Sequence, residues 1–279
     1  LTLGPGETKS VQAWIQVSAH SDISRILKFE LDQRGAPRGT LQGRVLDQDG
    51  HKVQEPYVVV ERDGQALTWA QGRDGAYCLE LPPGDYQVQA MALHYSQSQA
   101  HTVRITKSQT TAQDFSGLQS PARIRFDILD AEDQSPLDAR IDIARGPAPK
   151  IGFLGQSRYF TKLEAKGRAE LTIPPGEYVF AISHGGDFLG LPREVPVQLE
   201  AGEDRHLEVA LGPLIRPAKR GWYGADMHHH GDVLDGVTSP EYVLRSQLAC
   251  GLDVALLSDH DATQKNDYMA QLAAERGVP

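Results

Sequence analysis

The chain has 279 residues, 40% of them hydrophobic and 23% charged, an ordinary globular composition at a length that suggests about two domains. Its net charge of −9 argues against a nucleic-acid binder that works through a basic face. No apolar run approaches the roughly 20 residues of a membrane-spanning helix. The acidic excess is concentrated at the C-terminus. From Gly221 to Pro279 nine acidic residues face three basic ones, a local charge of −6 that suits a cation site or a solvated acidic face.

Leu1 is not a methionine and no signal-peptide pattern follows it. The chain reads as an excised piece or as a mature chain whose leader is gone. Cys78 and Cys250 do not make a disulfide framework, and each reads as a small buried apolar residue.

Residues 8–35 alternate in places. Val11, Ala13, Ile15 and Val17 share one parity, and residues 26–31 split apolar from polar in the same way. That period predicts half-buried strands, so 1–37 is expected to be the end of a preceding β-domain or an N-terminal extension. Gly35–Gly39 reads as a linker.

From Thr40 the pattern is that of short strands and tight turns. Gly43–Asp47 runs into a turn at Gln48-Asp49-Gly50. Tyr57–Glu61 ends at Asp63-Gly64, a hairpin signal. After Asp74-Gly75, Tyr77, Leu79 and Leu81 alternate up to Pro82-Pro83-Gly84-Asp85-Tyr86. The same phrase returns at Pro174-Pro175-Gly176-Glu177-Tyr178, offset by 92, and Val45-Leu46-Asp47 is echoed by Ile128-Leu129-Asp130. Repeats of this size predict tandem small domains, 38–117 and 118–215. In each, the prolines end one strand and the tyrosine starts the return strand against the core. "GRVLDQDG" and "GRDGAYCLELPPGDYQV" resemble the carboxypeptidase regulatory-like (transthyretin-like) β-sandwich. The second copy carries an insertion around Gly146–Gln156. Such modules imply structural support or contact with surfaces or glycans, and Tyr86 and Tyr178 read as core anchors. His184 reads as a loop residue, with no second ligand at chelating spacing.

The chemistry begins after Arg220. Gly221–His228 is expected to be a strand, which places His228 and His230 on one face and His229 on the other. Gly231 leaves the site unobstructed, and Asp235 can curl back as an anionic ligand. Ser239-Pro240-Glu241 predicts a helix start and Gly251 its end. Asp253–Ser258 reads as a strand buried on both faces, as in a parallel sheet, with Asp259-His260-Asp261 at its C-terminal end. A last helix is expected from near Asn266 to Arg276. His/Asp clusters at the C-terminal ends of successive strands are where β/α barrels build their sites.

His228, His230, Asp235-Gly236 and Ser258-Asp259-His260 resemble the opening motifs of the PHP (polymerase and histidinol phosphatase) family. With β-sandwiches in front, the arrangement is similar to CehA/McbA metallohydrolases. The implied fold class is mainly β with a C-terminal α/β piece: tandem transthyretin-like sandwiches, then the first βαβα units of a (β/α)7 barrel over 216–279. The resemblance implies that His228, His230, Asp235 and His260 are metal ligands. Asp226 and Asp259 would orient the imidazoles, and no other residue receives a catalytic role.

It further implies two or three divalent ions and metal-assisted hydrolysis of an ester, carbamate or phosphoester of small-molecule size. Imidazole and carboxylate without thiolate suit zinc, manganese or iron. The family's remaining ligands come from later strands, so these 279 residues alone are expected to turn over little or no substrate and to bind metal weakly. Tandem modules of this kind imply an extracytoplasmic, periplasmic or secreted, setting. The alternative is an extracytoplasmic β-sandwich binding or adhesion protein with a degenerate barrel remnant. A third possibility is another amidohydrolase-like barrel, against which the early Asp259-His260 counts.

Overall fold

The computed structural model describes residues 2–17, 21–234 and 236–279, without the side chains of residues 187 and 188. By their contacts they form two compact units, Leu1–Met91 with Ser98–Gly117, and Ala92–Gln97 with Leu118–Pro279.

The first unit opens with helix α1 (Ser24–Gln33), followed by β1 (Gly39–Asp47), β2 (Tyr57–Arg62), β3 (Gln65–Gln71), β4 (Ala76–Leu81), β5 (Gly84–Met91), β6 (His101–Ile105), β7 (Thr110–Ala112) and β8 (Phe115–Leu118). One sheet has the order β4-β1-β7, with β8 also on β1, and the other β3-β2-β5-β6. The β-branched run Val58-Val59-Val60 is fully buried in the second sheet, with Val60 opposite Val88 of β5. The turn between β2 and β3 has positive φ at both Asp63 and Gly64, as the hairpin signal requires.

The strands expected across residues 8–35 do not form. Residues 8–17 have no regular structure, with Val11, Ile15 and Val17 exposed, and α1 replaces the second alternating stretch. Its sequence has neither Gly nor Pro and is rich in Leu, Lys, Glu and Gln, all good helix formers. Ile23, Leu27 and Leu31 repeat every four residues, and Leu31 is buried. Trp69 Nε1 on β3 donates to Ser21 O at 2.8 Å, and Lys28 and Arg38 both reach Glu80 on β4. Cys78 is exposed and Cys250 half-buried, contrary to expectation. The alternation of β4 turns Tyr77, Leu79 and Leu81 inward and therefore Cys78 outward.

The second unit repeats the plan. Its strands are β9 (Ala122–Asp130), β10 (Arg140–Arg145), β11 (Arg158–Phe160), β12 (Arg168–Ile173), β13 (Gly176–Ser183), β14 (Arg193–Leu199) and β15 (Asp204–Leu211), with a single helical turn α2 (Gly186–Leu189) after β13. The sheets are β12-β9-β15 and β11-β10-β13-β14. In both units the first strand pairs antiparallel with the fourth and parallel with a late strand. β9 and β10 start 83 residues after β1 and β2, whereas β12 and β13 start 92 residues after β4 and β5. The extra nine residues fall between β10 and β11, where a short 3-10 turn (Gly152–Leu154) helps to bury Ile151 and Leu154. Tyr86 donates to Pro82 O at 2.8 Å and Tyr178 to Pro174 O at 2.7 Å, so each phenol closes the same corner. Tyr178 stacks on Phe180, which meets Phe126 edge to face across the two sheets.

Residues 216–279 belong to this second unit. α3 (Pro240–Ala249) and α4 (Asn266–Glu275) form where the sequence places them. Ser239 Oγ accepts from Tyr242 N at 3.4 Å, Pro240 occupies the first turn, and Gly251 (φ 70°) follows the C-cap. The two expected strands are reduced to one parallel bridge, Ala225 with Val254. Asp253 N donates to Gly224 O and Ser258 N to His229 O, so the segments run side by side without a continuous ladder. Residues 253–258 are half-buried, not buried on both faces. Ala255 and Leu257 pack with Val243, Leu244 and Met269 of the helices.

This small core is fixed to the second sandwich. Arg245 donates to Phe160 O and Thr161 O, Arg276 donates to Leu163 O and Asp138 Oδ2, and Leu163 joins the helical core. Among the described residues no helix is long and apolar enough to cross a membrane.

Candidate functional site

The pairing of Gly224–His229 with Asp253–Ser258 brings two histidine-bearing loops to one end. His228 and His230 are two residues apart, and their Nε2 atoms lie 3.0 Å from each other. Their ring centroids are 5.0 Å apart, and the His260 ring meets the His230 ring edge-on at 4.6 Å. Of the four expected ligands, His228 and His230 meet at Nε2 and His260 lies against the His230 ring, but the three do not bring one ligand atom each within 4.8 Å of one another; Asp235 lies outside the described residues. Two imidazole nitrogens at 3.0 Å are compatible with one shared proton or one shared cation. The donors, an imidazole pair with a third ring beside it on a locally acidic segment, are of the type that suits a borderline divalent ion.

The two carboxylates expected to orient these rings do something else. Asp226 Oδ1 accepts from His228 N at 3.0 Å, and Oδ2 lies 3.3 Å from Nδ1 of His229, the histidine on the other face. Asp259 Oδ1 accepts from Gly231 N at 2.6 Å. Both therefore fix backbone around the histidines, because the short loops leave amide groups without ladder partners that a nearby carboxylate satisfies.

Gln247, which sequence reasoning missed, is buried on α3. Its Nε2 donates to Leu256 O at 2.7 Å and lies 3.2 Å from His229 Nδ1, and its Oε1 accepts from Leu256 N at 3.3 Å. With Ser258 Oγ accepting from His229 N, it ties both loops to the helix. Its only sequence signal is a polar residue on the inward stripe of an amphipathic helix.

Gly231 and Gly236 are a close backbone contact. A Cβ on Gly236 would stand 1.6 Å from Gly231 O, and one on Gly231 would meet Leu257 and the Asp259 carboxylate at 3.1–3.2 Å. Asp261 has positive φ in the turn after His260, and Lys265 lies 3.6 Å from Asp232.

In the first unit Asp47, Asp49 and His51 bring ligand-type atoms within 4.8 Å of one another. Burial raises the Asp47 carboxyl, but the backbone amides of His51 and Asp49 outweigh it and hold its pKa below the usual range. Those bonds account for the turn without an ion.

Residues 40–117 match the family model of the carboxypeptidase regulatory-like domain. No curated protein matches the chain. Solved structures similar to it include a streptococcal ancillary pilin (13% identity, TM-score 0.38, 64% of this chain and 63% of that one). The minor pilin GBS52 of Streptococcus agalactiae is similar at 13% identity and TM-score 0.40, over 64% of this chain and 98% of that one. The shaft pilin SpaA of Lactobacillus rhamnosus GG has 11% identity and TM-score 0.31, over 64% and 99%. The chain spans under two thirds of the length of the ancillary pilin.

Proposed function

We propose that the segment after the second β-sandwich carries a divalent-metal site of the PHP, CehA/McbA-like type, and that the chemistry it serves is hydrolysis of an ester, carbamate or phosphoester. The observation that carries this reading is the convergence of His228 and His230 at 3.0 Å, with His260 against His230. A divalent ion held there, zinc, manganese or iron, would supply Lewis acidity to a water and to the substrate oxygen. The chain's own residues present lone pairs at Nε2, fix the loop amides through Asp226 and Asp259, and lock His229 through Gln247. The sandwich beneath holds the helices through Arg245 and Arg276.

Titration of the metal-free chain with zinc or manganese, followed calorimetrically and by elemental analysis, tests the proposal. It requires at least one equivalent bound, and at least a tenfold loss of affinity in His228→Ala and His230→Ala but not in His206→Ala. Binding that is absent, or unchanged in the two site variants, removes it. Little or no turnover is expected of these residues alone, so chelator-sensitive turnover of a nitrophenyl ester or phosphodiester would overturn that expectation.

A second reading is favoured by the duplicated sandwich and the family match over 40–117. In it the chain is an extracytoplasmic module that contacts a surface or glycan, and the histidine loops are a remnant. Saturable glycan binding that survives His228→Ala/His230→Ala, with no metal bound by the parent chain, would select it.

A further inference from the structure

A second site lies at the other end of the paired segments, and shares no lining residue with the histidine cluster. It is a cavity of about 470 Å³, mostly apolar, between the end of the second sandwich and the start of the α/β segment. His184, Ile215, Trp222, Tyr223, Cys250 and Asp253 are among the residues that line it.

His184 is its polar feature. Nδ1 stands 2.7 Å from Asp138 O. A carbonyl only accepts, so Nδ1 carries the proton and Nε2 of the neutral ring is an acceptor. Burial pushes the pKa of this imidazole down, which keeps the neutral form. Among the described residues Nε2 has no hydrogen-bond partner, and it lies 3.3 Å from the point where a Cβ on Gly251 would sit. The loop is held in place by Gly185 N, which donates to Ala249 O.

The charges around the cavity are mostly spent. Arg216 is bound by both oxygens of Asp130 and by Glu132, and Lys219 also by Glu132. Asp253 uses Oδ2 to accept from Gly224 N, and its remaining charge is negative. The lining therefore offers an aromatic pair and acceptors, and no uncommitted cation for an anionic ligand.

We propose that this cavity binds a neutral aromatic molecule bearing a hydroxyl or amine donor, with the ring against Trp222 and Tyr223 and the donor on His184 Nε2. Indole and phenol side chains favour a flat apolar ligand. An unpaired acceptor in an apolar wall, on a half-buried ring, favours the ligand that can donate to it. Nothing in this proposal depends on a metal.

Calorimetric titration of the full chain with 2-naphthol, 2-methoxynaphthalene and 2-naphthoate, all in chelator, tests it. The expected result is saturable binding of 2-naphthol, roughly tenfold weaker binding of the methoxy compound, as one lost hydrogen bond predicts, and the least for the carboxylate. His184→Phe keeps the volume and should abolish the preference for naphthol over its methyl ether, while Trp222→Ala should weaken both. No saturable binding of 2-naphthol, or equal affinity for the two neutral compounds, overturns the proposal. That comparison needs only the unaltered chain, so it decides the matter even if His184→Phe does not fold. Binding that persists in His228→Ala separates this site from the metal reading.

Discussion

Arg276, one residue beyond α4, places its guanidinium 2.5 Å from the Asp138 carboxylate at the entrance to β10, and the two side chains are only 11% and 8% exposed. The same arginine donates to Leu163 O, and Asp138 also accepts from Thr161 Oγ1. A buried pair of this kind adds little compared with an apolar substitute, but losing one partner strands a charge. Arg276→Ala should therefore destabilise the second unit by about 3 kcal/mol. Urea denaturation gives the size, and protease cleavage near residue 265 ahead of global unfolding would locate the loss in α4. A variant as stable as the parent would mean that the pair is solvated.

The Asp130–Arg216 pair makes a prediction about pH. The Arg216 guanidinium is the main cause that holds the Asp130 carboxyl at about 2, below its ordinary value of 3.8. A carboxyl whose folded pKa is depressed contributes stability above the unfolded pKa and loses it as pH falls through the folded one. Unfolding midpoints measured from pH 5 to pH 2 should fall below about pH 4, and Asp130→Asn should flatten that part of the profile. An identical slope in Asp130→Asn would assign the acid sensitivity to other carboxylates.

The repeat was legible because it is local. Pro-Pro-Gly-acidic-Tyr sets a corner within four residues, and its offset of 92 maps β4 and β5 onto β12 and β13 without a shift. The helix caps at Ser239 and Gly251 were legible for the same reason. α1 was misread because apolar residues on both parities of 26–31 mimic alternation, while the four-residue spacing of Ile23, Leu27 and Leu31 and the helix-forming composition carried the true signal. The short paired segments around Ala225 and Val254 depend on neighbours far away in sequence, so an apolar run alone could not tell a ladder from a single bridge. The two-residue spacing of His228 and His230 allowed their contact, although the strand expected to carry them is reduced to a bridge, and the partners of Asp226 and Asp259 were not legible. Which amide a carboxylate satisfies is decided by loop geometry, as is the reach of Arg276 across 138 positions to Asp138.

The two corner tyrosines should behave alike. Tyr86→Phe and Tyr178→Phe each remove one phenol bond to a proline carbonyl and keep the ring, so each should cost about 1 kcal/mol. Thermal unfolding of the single variants checks this. A loss in one and none in the other would show that the duplicated geometry is not energetically equivalent.

Gln247→Leu keeps the bulk of the side chain and removes the amide that serves Leu256 and His229. Leu256 N and O then lose that partner beneath α3, at a cost of about 1–3 kcal/mol. The nitrogen resonances of His229 should move as well, since Nδ1 loses its contact. Chemical denaturation with imidazole-detected NMR reads both, and an unmoved His229 would mean that Asp226 alone sets that ring.

Gly236→Ala tests whether the loop behind the histidines must be closed. The added methyl would fall 1.6 Å from Gly231 O, far inside any tolerable contact and against backbone, so one of the two segments has to shift. Gly231 follows His230 directly and is held by Asp259, so the shift is transmitted to the imidazole pair and not to α3 or α4. The expected outcome is unchanged helical circular dichroism with at least a tenfold loss of zinc affinity, from a displacement that spoils the 3.0 Å approach of His228 and His230. If zinc binds the variant as tightly as the parent, the loop closure at Gly236 has no part in positioning the ligands, and the histidines are set by the Ser258 and Asp226 contacts alone.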